Sequence, residues 1–342
     1  MSVLYSPRSG PALSITFPPP RPLRLDDDRR DAFLWEALRV GGGSGLPDNA
    51  LLIDQSRALA RYLQPLSAFV EDLTHPEGAD FVLFSNLPLD LQLPAPPEDG
   101  RRPAVKATWV SELTLLAVAL VGGLEPLTYQ QLRGNALVHE IAPALAQAQT
   151  GSSLGRTSFG FHTDAAILQR PYRPEVLLLL GLVNAGQTPT LVAPLESALA
   201  WLRQEVPTAL AVLQSPRYRI RNPQLMTIGQ GKIIYSEPRP VLTLNPAQGW
   251  EIAGDFPTLQ ALDAEAKAAL TALQQAFDHS AIPIVLEPGM LLMFNNHRVA
   301  HGRSPISGAR WLQRLYARQS LSALHQATGQ EHVFDVHRLI LE

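Results

Sequence analysis

Cysteine is missing from all 342 residues. That absence removes disulfide frameworks, thiolate zinc sites, iron–sulfur clusters and cysteine nucleophiles. Any metal must sit on histidine, carboxylate or water. Charge is scarce too, at 17% of the chain against about 25% in typical soluble domains. The net charge of −3 recommends neither nucleic acid nor an anionic membrane as partner. Long apolar runs are lacking. Val176 to Val183 (with Gly181 inside) and Leu115 to Val121 are the longest, far short of the 18 or so residues that span a bilayer. The first residues lack the pattern of a signal peptide, and an extended arm is expected over Met1 to Leu25, with prolines at 7, 11, 18, 19, 20 and 22. A globular protein of the cytoplasm is expected, with no internal repeat.

Prolines are plentiful, 30 in all, and imply many loops and edge positions. The run Asp26-Asp27-Asp28-Arg29-Arg30-Asp31 reads as the solvated opening of a helix rather than a metal site. Helical spacing links Leu59, Tyr62, Leu63, Leu66, Phe69, Val70 and Leu73, and a second, buried helix is predicted over Ser111 to Val121. Phe81 to Phe84 reads as a buried strand and Asn86 to Gly100 as a Pro-rich loop. Beyond this helical third, short apolar segments alternate with Gly, Pro and Asn, as in Val176 to Val183, Thr190 to Ala193, Tyr218 to Ile220 and Leu312 to Ala317. That texture predicts a double-sheet β core. One helix interrupts it, along the stripe Leu259, Leu262, Ala266, Ala269, Leu270, Leu273 and Phe277, with Thr258 or Asp255 near its start.

Nine histidines are present, and one of them stands in a distinctive setting. Phe159-Gly160-Phe161-His162-Thr163-Asp164 puts His162 and Asp164 two positions apart, on one face of an extended segment. Two such side chains can converge on one metal, with His301, after the strand-like Met290 to Phe294, as the candidate third ligand. Two histidines and one carboxylate leave open coordination positions, the arrangement of non-haem Fe(II) oxygenases. Thirteen residues beyond His301 lies Arg314, sharing a strand face with Arg310, Leu312 and Tyr316. Arginine can hold a carboxylate through two parallel hydrogen bonds, and Thr190 offers a hydroxyl for the same group.

The combination of His-x-Asp, Asn295-Asn296-x-x-x-x-His301-Gly302-Arg303 and Arg310-Trp311-Leu312-Gln313-Arg314 resembles the Fe(II)/2-oxoglutarate dioxygenases. Within them it is most similar to the clavaminate synthase-like branch, which includes arginine and asparagine hydroxylases, and more distantly to taurine dioxygenase. The resemblance covers about Phe81 to Ser320 and is strongest over Phe159 to Asp164, Gly186 to Leu199 and Met290 to Ser320.

The resemblance implies a mainly β fold with helices: a double-stranded β-helix, or jelly roll, with an N-terminal helical layer and a helical insertion. One oxygenase domain over 1–342 is expected, with the arm and helical layer in 1–105, the core in 106–342 and the insertion at about 200–280. It implies Fe(II) on His162, Asp164 and His301, and 2-oxoglutarate held by Arg314 with help from Thr190, with O2 as the remaining reactant. Asp164 departs from the Glu common in the branch, and as a true carboxylate it argues against a halogenase. On the substrate side the resemblance implies Ser152, Arg318 and Asp255, with Glu140 also lining the pocket. Asp255 is open to a second reading as a helix cap. The implied reaction is hydroxylation of an unactivated C–H of a small, basic, arginine-like free amino acid, giving succinate and CO2. Three alternatives stand beside it: a taurine dioxygenase-like enzyme for another small organic acid, a non-catalytic jelly-roll binding protein, and a zinc hydrolase.

Overall fold

The computed structural model describes residues 20–41, 48–132, 135–222 and 233–340. Most of the expected N-terminal arm lies outside these residues. Its end, β1 (Leu23–Arg24), adds a short edge strand parallel to β2 (Phe81–Ser85). The helical layer consists of α1 (Asp27–Val40), α2 (Asn49–Leu59), a 3-10 segment (Ala60–Leu66), α3 (Ser67–Asp72) and α4 (Val110–Val121).

The acidic run opens α1 as expected. Asp26 caps it by accepting from the Arg29 N–H, with Asp27 and Asp28 in the first turn. The helical stripe from Leu59 to Leu73 is not one helix, because Pro65 lies inside the 3-10 segment and has no N–H to continue an α ladder.

The remaining strands are β3 (Glu125–Tyr129), β4 (Val138–Ile141), β5 (Phe159–His162), β6 (Val176–Asn184), β7 (Thr190–Pro194), β8 (Tyr218–Ile220), β9 (Leu242–Asn245), β10 (Gly249–Ile252), β11 (Leu259–Ala261), β12 (Ile282–Ile284), β13 (Leu291–Asn295), β14 (Val299–Arg303), β15 (Arg310–Arg318) and β16 (Val333–Phe334). Helices α5 (Leu195–Glu205), α6 (Thr208–Leu213), α7 (Ala264–Ser280), α8 (Ser322–Thr328) and α9 (Val336–Ile340) complete the described chain. The predicted helix from Leu259 begins later. Leu259 to Ala261 pair with β8, and Asp263, rather than Thr258 or Asp255, caps α7 through the Ala266 N–H. Among the described residues no helix is long and apolar enough to cross a membrane.

Two sheets carry the fold. The larger runs β1-β2-β13-β6-β15-β3-β16, with β4 also paired to β15; the smaller runs β12-β7-β14-β5. Leu177, Leu179, Leu292, Phe294 and Leu312 of the large sheet pack with Val192, Ile284 and Val299 of the small one. Val176, Leu178, Leu180 and Leu182 face the other way, against the N-terminal helices. β6 is therefore covered on both faces, which explains its unbroken apolar run in place of alternation. Gly181 within it is required: a Cβ there would meet the Glu287 carbonyl oxygen at 2.3 Å. Helices α5 and α7 cover the outer face of the small sheet through Leu199, Leu202, Leu273 and Phe277.

A buried polar network lies between α4 and β15. Lys106 bonds Glu112 at 2.5 Å and Asp90 at 2.9 Å, and Arg102 bonds Glu112 at 2.8 Å. Asp90 also accepts from the Val110 and Ser111 N–H groups, capping α4. Glu140 on β4 accepts from the Trp311 indole (2.5 Å) and the Gln313 amide (3.1 Å). Burial, reinforced by the nearby Glu112 charge, raises the Glu140 pKa to about 7. The folded state thus holds this proton at pH values where the unfolded chain has released it, so stability falls as pH rises through the window between the ordinary value of 4.5 and about 7. Urea denaturation from pH 5 to 8 is expected to show this loss in the wild type relative to Glu140→Gln; parallel pH profiles would refute it.

Candidate metal centre

β14 and β5 pair antiparallel in the small sheet, with His301 directly opposite His162 and their rings 4.1 Å apart. Cross-strand neighbours of this kind lie side by side on one face. β5 ends at His162, so Asp164 lies just beyond the strand rather than on it. The next residue, Ala165, takes a left-handed φ of 55° that a side chain disfavours. Asn296, fully buried, holds this turn. Its Oδ1 accepts from the Asp164 N–H at 2.9 Å, and its Nδ2 donates to the Asp164 and Pro174 carbonyls.

His162, Asp164 and His301 are buried and each offers a ligand atom within 4.8 Å of the others. The His162 Nδ1–H donates to the Gly160 carbonyl at 2.9 Å, which leaves the Nε2 lone pair facing Asp164 Oδ1 at 3.6 Å. Burial holds the His301 pKa well below its ordinary value, so the ring stays neutral and keeps a lone pair. Burial alone would raise the Asp164 pKa, but the Arg314 guanidinium above all, with the Tyr316 hydroxyl, outweighs it and brings the group to about 2. Its Oδ2 accepts from Arg314 Nη1 (2.8 Å) and from the Tyr316 hydroxyl (3.0 Å), leaving Oδ1 toward the histidines. Two neutral nitrogens and one carboxylate oxygen fit a divalent metal with open positions.

Two cavities meet at this cluster. The first is lined by Thr190, His301, Arg303, Arg310 and Arg314. Arg310 Nη2 donates to Thr190 Oγ1 at 3.0 Å, and among the described residues no carboxylate pairs with Arg310. Burial, with Arg303 nearby, lowers its pKa to about 9. A buried guanidinium without a counterion is costly, so an anion is favoured there. Thr190 therefore partners Arg310 and not Arg314. Arg310 stands on the same strand face as Arg314, four residues before it.

The second cavity, of about 220 Å³, is lined by Ser152, Ser153, Asp164, Arg221, Asp255 and Tyr316. Ser152 Oγ shares a hydrogen bond with Thr150 Oγ1 at 2.8 Å. Asp255 Oδ2 accepts from Thr258, while Oδ1 is buried without a partner, and burial raises the pKa of the group. Arg221 was not singled out from the sequence.

Two expected substrate residues lie elsewhere. Arg318 bonds Glu175 at 3.0 Å and the Arg173 and Ser320 carbonyls, at the far end of β15. Glu140 projects toward Trp311 and Gln313, the odd-numbered face of β15, opposite the face that carries Arg310 and Arg314. Its neighbour His139 instead meets Arg314 at 3.2 Å and Thr128 at 2.8 Å. Because a guanidinium only donates, His139 Nδ1 accepts and its Nε2–H faces Thr128.

Residues 112–316 match the family model for the taurine catabolism dioxygenase TauD, TfdA family. Clavaminate synthase 2 of Streptomyces clavuligerus is 27% identical over 283 residues, covering 78% of this chain and 83% of its own. L-asparagine oxygenase of Streptomyces coelicolor is 26% identical over 307 residues, covering 84% and 87%. Among solved structures, asparagine oxygenase in complex with Fe(II), 2S,3S-3-hydroxyasparagine and succinate has a TM-score of 0.78 at 22% identity, covering 92% of this chain and 98% of its own. The non-heme iron oxygenase OrfP in complex with Fe, succinate and (3R,4R)-dihydroxy-L-Arg has a TM-score of 0.75 at 21% identity, covering 92% and 99%. These structural likenesses show a shared fold.

Arg318→Ala is expected to cost about 3 kcal/mol of folding stability in urea denaturation, as when a buried pair loses one member, and to leave the KM of any substrate unchanged. A raised KM at wild-type stability would return Arg318 to the binding site.

Proposed function

The chain belongs to the TauD/TfdA family of dioxygenases, in its clavaminate synthase-like branch, and on that premise we propose that it hydroxylates an unactivated C–H of a small free amino acid with a basic side chain. It is an Fe(II)- and 2-oxoglutarate-dependent enzyme. Iron and cosubstrate, when bound, supply the oxidising chemistry: O2 is consumed, 2-oxoglutarate becomes succinate and CO2, and the substrate carbon gains a hydroxyl group. The paired sheets are read as a double-stranded β-helix, with an N-terminal layer in 1–105 and an insertion at about 200–280, in one domain.

The observation that carries the reading is the buried His162–Asp164–His301 cluster set beside an uncompensated Arg310. His162, Asp164 and His301 hold the metal. Arg310, with Thr190, takes the distal carboxylate of 2-oxoglutarate, the role that the sequence pattern assigned to Arg314. Arg314 points its guanidinium at the metal ligand and lines both cavities, which suits the α-carboxylate of the amino acid. Ser152 and Ser153 line the wall available to the α-amine, and Asp255 Oδ1 offers an acceptor for a cationic side chain. Matching each charge matters because an unpaired charge in such a site is costly. The enclosing walls orient the reactants and exclude water.

Arg221 favours a second reading of the side chain. It lines the same cavity as Asp255, so the wall offers one donor and one acceptor, the complement of a carboxamide. Succinate release across the twenty amino acids plus ornithine and homoarginine distinguishes the two. Stimulation by basic amino acids supports the first reading, and stimulation only by amide side chains transfers the assignment to the second. His162→Ala and His301→Ala are each expected to abolish succinate formation with the fold intact, and Arg310→Met to raise the KM for 2-oxoglutarate at least about tenfold. Full turnover by either histidine variant would refute the metal assignment. Absence of oxygen uptake by the wild type with Fe(II) and 2-oxoglutarate would favour a non-catalytic binding protein.

A further inference from the structure

Asp164 has two oxygens and only one of them faces the histidines. Oδ2 is taken by two donors, Arg314 Nη1 and the Tyr316 hydroxyl, while Oδ1 lies 3.6 Å from His162 Nε2. The two donors differ in what else they do. Arg314 lines both cavities and, on the reading above, engages the substrate's carboxylate, which competes for its hydrogen bonds. Tyr316 is locked. Its ring packs 6.2 Å from Tyr129 and edge-on to His139 at 5.2 Å, beneath the Arg314 guanidinium at 4.5 Å. Its hydroxyl faces a carboxylate oxygen, which can only accept, so it donates.

We propose that Tyr316 is a positioning residue that holds Asp164 as a one-oxygen metal ligand, by keeping Oδ2 engaged when Arg314 turns to substrate. A carboxylate with both oxygens free can chelate the metal and occupy a position that an exogenous ligand needs. The residue acts through Asp164 and touches no reacting atom. Partners of this kind change metal affinity when removed, by roughly 10–100-fold.

The test is Co(II) titration of the metal-free protein, followed by the visible absorption of the bound ion. Tyr316→Phe is expected to raise the Co(II) Kd at least about tenfold, with an unchanged metal-free melting temperature, and to lower the intensity of the Co(II) bands as a second carboxylate oxygen joins the coordination. Tyr129→Phe, whose hydroxyl bonds the Tyr172 carbonyl instead, should leave both unchanged. Replacing Tyr316 by 4-aminophenylalanine keeps the ring and a weaker donor, and should recover most of the lost affinity. A Phe variant that folds and binds Co(II) as the wild type does would overturn the proposal, as would an amino variant no better than Phe. If the Phe variant does not fold, the amino variant decides: an affinity loss of a few-fold with altered Co(II) bands supports the proposal, and wild-type affinity and spectrum overturn it. A wild-type protein that binds no Co(II) would instead sink the metal assignment itself, which keeps the two failures apart.

Discussion

The site depends on one register, that of β14 against β5. With His301 opposite His162, both imidazoles project from the same face of the small sheet into the space between the sheets. A slip of one residue would send one of them to the opposite face, against α5 and α7. The register shifts just beyond, between His301 and Arg303, and Gly302 lies at that point, where a Cβ would come within 2.8 Å of the Phe159 carbonyl oxygen. The bulge and the glycine let the strands approach closely where His162 and His301 converge.

The scarcity of charge takes on meaning in the interior. Arg173, Arg298, Arg303, Arg310, Arg314 and Arg318 are all buried, and most are committed to protein acceptors. Arg298 gathers five carbonyls between Leu73 and Ala79, and Arg303 gathers those of Ser152, Gly155 and Thr157. Arg318 has Glu175 and Arg314 has Asp164. Among the described residues Arg310 has only a threonine hydroxyl. A buried cation favours a counter-charge, and on the proposed reading a ligand's carboxylate supplies it.

Strands position His162 and His301, and a turn just beyond β5 positions Asp164, whereas the second cavity is built largely by connections. Ser152 and Ser153 sit on the loop that Arg303 ties down, and Asp255 on the link between β10 and β11. Asn296, in the β13–β14 turn, fastens the Asp164 backbone from the other side. A rigid frame with variable loops is a common division between shared chemistry and individual specificity.

The sequence by itself determined the broad layers and which three residues form the candidate metal-binding cluster. A helical start, short strands and a late helix were legible because hydrophobic periodicity reflects burial on one face or two. The clustering of His162, Asp164 and His301 was legible because the residue types that can bind a metal are few and their spacings restricted. Only the tertiary structure decided which arginine faces which partner. Arg310, Arg314 and Arg318 follow one another at four-residue intervals on one strand, so parity cannot separate them. What separates them is the neighbour opposite each: Thr190, Asp164 and Glu175, brought there by chain segments more than a hundred residues away. Glu140 and His139 were likewise separable only once β4 was paired with β15, since adjacent residues on a strand face opposite sides and only the pairing says which side holds the site.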